Sequence, residues 1–511
     1  MQCTFRVCAL LSGMAATLHA DPTQPWTEGT YFPSWANAAP ARVRTLAYSG
    51  ALTAVQNGAR LADTIASLQP GDRLEVAAGT YSVNRWWNVV RRGTAAQPIW
   101  ITAAAGAAVV VTRPDAGQNV MNVAASAGDT TEYVCFRRLE FTGGSEMIRL
   151  YNCRNVWLDS CTLHDGGGAA LSTNTANTEY IYITRNHIYN PGPAGETDEG
   201  MYLGANNGAV VMRYSIVALN HVHDCGGTQG DGIELKQGSY NNWVVENYIH
   251  NTNYPCILVY GTAGAGVNVV ERNILHGSGD NTLQVQGEAI VRNNLIMDGA
   301  VGFASTDHQG QTVNLTFVHN TVINAGRACN LSSWNARAGM VFANNAVYSR
   351  DAESIRFPNG SSGVTLAGNV VYGSVSGASA GYVTGTGLAD FENVTWDAVQ
   401  RNARPSSGSR LLGAADNAYA VAVDINGTPR TAPHVAGAFV AGSATIFRGT
   451  PLQSTHAAPA VLRIGFSPVC DMQGRLMPRG SPGRYEQTDW RRLGPITGEG
   501  RRDQSVAGSA R

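Results

Sequence analysis

Val245-Glu-Asn-Tyr-Ile-His250 and Val270-Glu-Arg-Asn-Ile-Leu-His276 are two copies of a short pattern that decides the fold of this chain. In each copy, apolar or β-branched residues are followed by an asparagine, aliphatic residues and a histidine. The copies are marked by Asn186, Asn220, Asn247, Asn273, Asn294, Asn320, Asn345 and Asn369, which lie 21 to 34 residues apart. Short strand patterns and glycine-rich turns fill the intervals, without a sustained helical period. A repeat of this length predicts the coils of a parallel β-helix.

The repeated asparagine has a physical reason in such a fold. Side-chain amides stacked at one corner can hydrogen-bond to the coils above and below, which satisfies groups that an apolar core cannot. Leucine-rich repeats are the alternative architecture, but their Leu-x-x-Leu-x-Leu spacing is missing here. We therefore predict an all-β, single-stranded solenoid.

Three further passages resemble a known family. They are Leu68-Gln-Pro-Gly-Asp-Arg-Leu-Glu-Val-Ala-Ala-Gly-Thr-Tyr81, Gly93-Thr-Ala-Ala-Gln-Pro-Ile-Trp-Ile101, and Asp424-Ile-Asn-Gly-Thr-Pro-Arg430 followed by Gly437-Ala-Phe439. Together with the repeats they resemble the right-handed parallel β-helix proteins of the pectate-lyase-like superfamily, over about residues 45–440. The resemblance implies the handedness of the solenoid. It is much less specific for activity, because the superfamily includes lyases, glycosidases, epimerases and non-catalytic fibres.

The ends of the chain differ from the repeats. Residues 1–20 carry an arginine, a short apolar stretch and small residues before Asp21, which predicts a secretory signal and a secreted or periplasmic protein. Residues 21–440 form the predicted β-helix domain, in which an amphipathic helix over Ala59 to Leu68 caps the N-terminal end. We expect residues 441–490 to be an irregular segment that packs on the solenoid or its end, and residues 491–511 to be a disordered tail.

Composition limits the partners of this chain. A net charge of −1 and only 14% charged residues argue against nucleic acid or an anionic membrane, and no stretch is long enough to span a bilayer. We expect a monomer. The seven cysteines after the signal form no disulfide framework or metal motif, so they are interpreted as buried packing thiols. One bridge among Cys135, Cys153 and Cys161 remains the alternative.

Lys236 is the only lysine among 36 lysine and arginine residues. Because a lysine, unlike an arginine, can lose its proton when buried, a solitary lysine is a candidate for work that requires a neutral amine. The alternative is an ordinary surface residue. Alignment of the coils from their asparagines places equivalent strands side by side and turns alternate positions outward. One predicted outer column contains Gly204, Lys236, Tyr260 and Gln286, and its neighbour contains Tyr202, Glu234, Leu258 and Gln284.

Acidic residues accumulate where these strands begin. Asp198, Glu199 and Asp231 supply the oxygen ligands that calcium prefers, and stacked carboxylates repel unless a cation or proton neutralises them. The sequence thus predicts a possible calcium site. In the alternative interpretation, Asp231 caps a turn and Glu234 merely pairs with Lys236.

These residues suggest β-elimination on an acidic, uronate-containing polysaccharide, a chemistry that the family resemblance also implies. Lys236 would be the base, with a lowered pKa, Tyr260 would protonate the departing oxygen, and Glu234 would complete the catalytic group. Tyr202, Gly204, Gln286 and His308 would contact substrate, and His308 is also an alternative general acid. A C5-epimerase, a glycoside hydrolase and a non-catalytic glycan-binding solenoid remain alternatives.

A second feature is a column of rings at one offset from the asparagines. It contains His164, Tyr189, His223, His250 and His276. Stacked imidazoles can bind zinc, but rings also fill this position for structural reasons. The sequence favours structural stacking.

Overall fold

The chain winds as a parallel β-solenoid in which each coil contributes strands to three faces. The computed structural model describes residues 31–124, 128–192 and 198–443. Within these ranges, the parallel strands form a 15-stranded and a 21-stranded sheet. This confirms the all-β solenoid that the repeat predicts.

The first face is the 15-stranded sheet. Its strands are Arg42–Leu46, Asp72–Val76, Ile99–Ala103, Thr131–Arg137, Cys153–Asp159, Thr178–Glu179, Tyr182–Thr184, Met212–Arg213, Ile216–Ala218, Trp243–Val245, Asn268–Glu271, Ala289–Arg292, Leu315–Val318, Val341–Ala343 and Thr365–Ala367.

The second face, which we call the imidazole face, carries the column of histidine rings. Its strands are Gly79–Ser82, Val109–Arg113, Glu140–Gly143, Thr162–His164, His187–Tyr189, His221–Cys225, Tyr248–Thr252, the first part of Ile274–Val285, of Leu295–Ser305 and of Ala346–Arg356, Thr321–Asn324, Asn369–Ser376 and Tyr382–Thr384.

The third face, the lysine face, carries Lys236. Its strands are Asn88–Val89, Met121–Val123, Ile148–Leu150, Leu171–Ser172, Met201–Leu203, Ile233–Leu235, Ile257–Val259, Arg327–Leu331 and the later parts of Ile274–Val285, Leu295–Ser305 and Ala346–Arg356. The second and third faces are joined because these last three strands bend around a corner.

The predicted asparagine ladder is present. Asn220 Nδ2 donates to Asn247 Oδ1 at 2.9 Å, and Asn247 Nδ2 donates to Asn273 Oδ1 at 3.0 Å. The same bond joins each consecutive pair from Asn186 to Asn369. Each Oδ1 also accepts from a backbone N–H of the preceding coil, as Asn247 does from Asn220. The buried amides therefore fix the register of the coil corners from Asn186 to Asn369.

The solenoid interior is filled by the inward residues of all three faces. These residues form one continuous apolar core in which aromatic rings such as Phe303, Phe317 and Phe342 stack from coil to coil. The six described cysteines are buried and free, which confirms packing thiols and contradicts a bridge among Cys135, Cys153 and Cys161. Cys470 lies outside the described residues.

One helix covers the N-terminal end of the core, as predicted, but its bounds differ. It spans Ala54–Ala66 rather than residues 59–68, because Thr53 and Gln56 form a reciprocal capping box that starts it earlier. Its buried face contains Leu61 and Ile65. Gly58 lies so close to the carbonyl of Ser82 that a Cβ would fall 2.1 Å from that oxygen. The close approach seals the first coil.

The last solenoid strand is Tyr382–Thr384, so the coils end well before residue 440. Residues 385–443 instead include an antiparallel pair, Phe391–Val394 and Arg401–Pro405, and pack on the outside of the later coils. Short 3₁₀ turns at Asn206–Gly208, Leu388–Asp390 and Asn417–Tyr419 complete the elements. Buried Arg430 donates to the Gly437 carbonyl and to Asn293 Oδ1, which ties this segment to the solenoid.

Several predicted features lie outside the described residues. They are the signal over residues 1–20, the part of the irregular segment from residue 444 to 490, and the tail over residues 491–511. No helix in the described part of the chain has the length and apolar character that crossing a membrane requires.

Candidate functional site

The lysine face brings the predicted columns into the expected register. Tyr202 pairs with Glu234, Glu234 with Leu258, and Leu258 with Gln284. Backbone bonds from Lys236 N to Leu203 O and from Tyr260 N to Leu235 O continue the neighbouring column, which starts at Gly204. Residues that are distant in sequence thus share one outer wall.

Lys236 is the centre of this wall. Its ammonium donates to Glu234 Oε1 and lies over the ring of Tyr202, 4.1 Å from the ring centroid. The Tyr260 centroid lies 5.4 Å from Nζ on the other side. Lys236 is only 5% exposed, so the amine is enclosed by two rings and a carboxylate. The predicted neighbourhood of the solitary lysine is present, although its predicted chemical role is not tested by this arrangement.

The charge state of Lys236 differs from the prediction. Burial lowers its pKa, but the contact with Glu234 and the neighbouring Tyr202 outweigh burial, so the pKa of Lys236 is raised. The prediction of a lowered pKa is therefore wrong for this arrangement. The reason is that the same strand supplies Glu234 two residues away, on the same outer face. The amine is protonated as long as this pair is intact.

Three further carboxylates near this pair are buried. Asp198, Glu199 and Asp231 are each at most 2% exposed. Among the described residues, one oxygen of each, namely Asp198 Oδ1, Glu199 Oε1 and Asp231 Oδ1, has no hydrogen-bond partner. We call Glu199, Asp231, Glu234 and Lys236 the acid–lysine cluster.

Burial sets the protonation of these acids. It raises the pKa of Glu199 to about 8, and Glu234 adds to the shift while Lys236 opposes it. Burial, then Glu234 and Glu199, raise the pKa of Asp231 well above its usual range. The pKa of Asp198 rises to about 6 by burial, which the backbone N–H groups of Gly227 and Gly226 partly offset. The site holds protons that a cation could replace.

Calcium remains a prediction for these residues. Their unpartnered oxygens have the hard-donor chemistry that calcium prefers. However, their oxygens do not lie close enough together to form a ready-made metal site. Among the described residues, only His187, His221 and His223 have three potential ligand atoms within 4.8 Å of one another. The carboxylates would have to draw together to share one ion.

A loop closes the lysine face. Residues 306–312, which we call the cover loop, leave the strand Leu295–Ser305 and run back across the column. Gln309 accepts from Asn207 N at 2.7 Å and donates to Asn206 Oδ1 at 2.9 Å, on a coil about 100 residues earlier. The outer columns that contain Lys236 are therefore covered in this structure.

The cover loop also places the last two predicted substrate contacts. The His308 ring packs edge-on against Tyr260, with centroids 4.8 Å apart, and burial and Lys236 lower the pKa of His308. Gln286 is 3% exposed, and its amide nitrogen reaches the Gln311 carbonyl at 3.4 Å. Burial, followed by Glu234 and Asp231, raises the pKa of Tyr260 strongly. The phenol thus keeps its proton and is a weak acid in this arrangement.

Sequence reasoning missed Arg149. Arg149 pairs with Ser172 on the next strand, and Ser172 pairs with Tyr202, so Arg149 lies in the same outer column as Tyr202. At the usual strand spacing the backbones of Arg149 and Tyr202 are about 9.6 Å apart. Arg149 Nε donates to Glu146 Oε2 at 2.9 Å, and its side chain is 27% exposed. Arg149 lies between the apolar residues Ile148 and Leu150, which face inward, and this alternation could have predicted that Arg149 faces outward. Arg149 is a cation that a ligand on this face can reach.

A separate cleft of about 240 Å³ lies along the first sheet. Its wall includes Arg154 and Arg213, which pair with Glu132 at 3.1 Å and Glu179 at 3.0 Å. Its charges are already compensated, so it does not compete with the lysine face as a reactive site.

Comparison with known proteins agrees with this architecture. Residues 124–288 and 224–347 match the family model described as "Right handed beta helix region". Pectate lyase Pel9A is similar with a TM-score of 0.46 and 14% identity, covering 79% of this chain and 98% of that chain. No curated protein matches the sequence.

Two further solved structures are similar. A mannuronic acid specific polysaccharide family 6 lyase from human gut microbiota has a TM-score of 0.40 and 13% identity, covering 67% of this chain and 90% of that chain. The A-module of Azotobacter vinelandii mannuronan C-5 epimerase AlgE6 has a TM-score of 0.38 and 13% identity, covering 64% and 95%. Residues 124–347 thus match the model of a right-handed β-helix repeat, and the described chain has the fold of a parallel β-solenoid.

Proposed function

We propose that the protein acts on an acidic polysaccharide and cleaves it by β-elimination at the acid–lysine cluster. The observation that carries the proposal is the burial of the chain's only lysine between Tyr202 and Tyr260, in contact with Glu234. A lysine, unlike an arginine, can lose its proton at such a buried position and then act as a base. We also propose that the protein is exported, which suits a polymeric substrate.

The shape of the lysine face suits an extended polymer. Outer residues repeat at about 4.8 Å from coil to coil, so successive sugars can lie across several strands. Arg149 and Tyr202 would contact a carboxylate and a sugar face at one end of this stretch. Gln286 would contact the polymer at the other end, once the cover loop has moved.

Elimination requires that a uronate carboxylate is neutralised while the C5 proton is removed. Calcium held by Asp198, Glu199 and Asp231 would supply that neutralisation. Lys236 accepts the C5 proton, the C4–oxygen bond breaks as the C4–C5 double bond forms, and the Tyr260 hydroxyl protonates the departing oxygen. Lys236 then returns its proton to solvent and Tyr260 regains one.

Lys236 must lose its proton before it can act in this way. The ion pair with Glu234 opposes that loss, whereas burial favours it. A change that draws Glu234 away therefore leaves burial as the dominant effect and converts the ammonium into a base. Substrate and cation binding on the same wall would supply such a change.

The test uses the full chain and a panel of pectate, alginate and glycosaminoglycan substrates, with calcium or with excess EGTA. Ultraviolet absorbance of the unsaturated product reports elimination. Lys236→Arg is the matched variant, because it keeps a cation next to Glu234 but cannot supply a neutral amine. We expect activity in the parent chain and none in Lys236→Arg. A Lys236→Arg variant that cleaves at the parental rate would exclude the base role, and undiminished activity in EGTA would exclude calcium.

Glycoside hydrolysis is a second candidate, which one observation favours. Glu199 and Asp231 hold protons at neutral pH, while Glu234 on the same wall is paired with Lys236. A buried acid that keeps its proton, beside a second carboxyl group on the same wall, could serve as the general acid that hydrolysis requires. New reducing ends without unsaturated product would identify this activity. Altered uronate composition without chain shortening would identify an epimerase, and binding without turnover would identify a glycan-binding solenoid.

A further inference from the structure

The imidazole face contains two adjacent columns of rings rather than one. The column predicted from the sequence is present, with stacked pairs such as His223 and His250 at 5.0 Å between centroids. Beside it stands a second column in which His187 stacks on His221 at 5.0 Å and His221 stacks on Tyr248 at 5.0 Å. Alternation within each strand places both columns outward.

The two columns meet through their ring nitrogens. His187 Nε2 lies 2.9 Å from His223 Nε2, and His221 Nε2 lies 3.0 Å from His250 Nε2. One ligand atom each of His187, His221 and His223 lies within 4.8 Å of the other two. We propose that His187, His221 and His223, which we call the imidazole cluster, bind one divalent transition-metal ion such as zinc.

The distances suit such an ion after a small adjustment. Nitrogens bound to tetrahedral zinc at about 2.0–2.1 Å are about 3.3 Å apart, so His187 and His223 need separate by only a few tenths of an ångström. The ligand atom of His221, which lies within 4.8 Å of the other two, moves toward them to complete the set. Three imidazoles leave a fourth position open for water or another ligand. Imidazole suits zinc, copper and nickel, whereas calcium and magnesium prefer oxygen.

The surroundings prepare these rings as ligands. His223 Nδ1 pairs with Asp224 Oδ2 at 2.8 Å, and Asn251 holds the other oxygen of Asp224 at 3.1 Å. A carboxylate on the far nitrogen fixes the tautomer and directs the near nitrogen to a metal. Among the described residues, buried Nδ1 of His221 has no hydrogen-bond partner.

The ion would join neighbouring coils. His187 lies on the strand His187–Tyr189 and the other two ligands lie on the next coil, in His221–Cys225. The later part of the same face is covered by residues 385–443, but the imidazole cluster is only half-buried, so an ion can reach it. A ligand that binds only the folded state stabilises that state.

The experiment uses the full chain without a histidine tag, stripped with EDTA. Zinc titration calorimetry measures stoichiometry, and cobalt substitution reports tetrahedral coordination through visible absorption. The test variants are His221→Phe and His223→Phe. A phenyl ring preserves the stack, since Tyr248 and Tyr189 occupy the next positions of the same columns, but it removes the nitrogens. His164→Phe is the matched control, since His164 stacks on Tyr189 outside the cluster.

We expect one ion per chain in the parent and in His164→Phe, a rise in the melting temperature with zinc, and loss of this site in both test variants. Asp224→Asn should weaken zinc binding about 10- to 100-fold while retaining all three rings, and it serves if a phenylalanine variant fails to fold. Unchanged zinc binding in His221→Phe, His223→Phe or Asp224→Asn, or no zinc binding by the folded parent, would overturn the proposal. Metal uptake is measured without turnover, so the result is independent of the proposed elimination chemistry.

Discussion

Glu199 makes a quantitative prediction about pH and stability. Its pKa is raised by burial to about 8 in the folded state, whereas a glutamate in an unfolded chain ionises near 4.3. The folded protein therefore binds a proton that the unfolded chain has released, and stability falls as pH rises toward 8. Above both pKa values the effect is complete. The sign is opposite to that of a carboxylate held in an ion pair.

The magnitude follows from proton linkage. One group with a folded pKa of about 8 lowers the free energy of unfolding by about 1.6 kcal/mol between about pH 6.5 and 8, with a limiting slope of about 1.4 kcal/mol per pH unit. Glu199→Gln preserves the shape and removes the proton equilibrium. All other ionisable groups are present in both proteins, so the difference between parent and variant reports Glu199 together with its electrostatic contribution to Asp231.

Equilibrium urea unfolding followed by tryptophan fluorescence measures both pH slopes. Exposed Glu392 provides the matched control, and Glu392→Gln should keep the parental slope. Calcium should restore parental stability mainly at the higher pH, because only the ionised carboxylate attracts it, and should restore Glu199→Gln less. Equal pH slopes in the parent and Glu199→Gln would refute the assignment of a buried, protonated acid at this position.

Three further predictions concern the cover loop, the ion pair and the ladder. An amine-acylating reagent should modify Lys236 slowly, as measured by peptide mass spectrometry. Gln309→Gly loses both hydrogen bonds to the earlier coil and should speed that modification, whereas equal rates would show that the loop does not control access. Lys236→Met should lower the free energy of unfolding by about 3–5 kcal/mol, because it leaves Glu234 buried without its cation. The double variant with Glu234→Gln should recover part of that loss. Additive losses in chemical denaturation would contradict a coupled pair. Asn247→Ala removes four buried hydrogen bonds and should lower the free energy of unfolding, measured with urea, by roughly 3 kcal/mol or more. The control Asn359→Ala, at an exposed position, should change it by no more than about 0.5 kcal/mol. Similar losses in the two variants would argue against the ladder.

The register of the lysine face shows how far sequence reasoning reaches. Once Asn220, Asn247 and Asn273 are aligned, strand alternation alone places Glu234 beside Leu258 and Lys236 beside Tyr260. The helix was predicted in the correct place but with a late start, because Gly58 interrupts the pattern in its second turn. Its beginning is recognisable mainly from the capping residues Thr53 and Gln56. Local pattern thus predicts which residues are neighbours more reliably than where an element begins.

The state of the site was less accessible to prediction. The pKa of Lys236 depends on the balance between burial and the Glu234 contact, and the sequence indicates the presence of both influences but not their relative strength. Closure of the face depends on Gln309 reaching a coil about 100 residues away, and no local pattern encodes such a contact. Arg149 was missed because the early coils lack the asparagine that aligns the later ones.

The repeat in the sequence specified the solenoid, its asparagine corner and the neighbours of Lys236 on the outer columns of the lysine face. It could do so because a repeat imposes one register, and a period of two then fixes which side chains face outward. Only the tertiary structure decided that the lysine face is covered, that Lys236 is paired, and that two columns of imidazoles touch through their nitrogens. Those properties arise from contacts between coils and loops, whose distances and burial no linear pattern specifies.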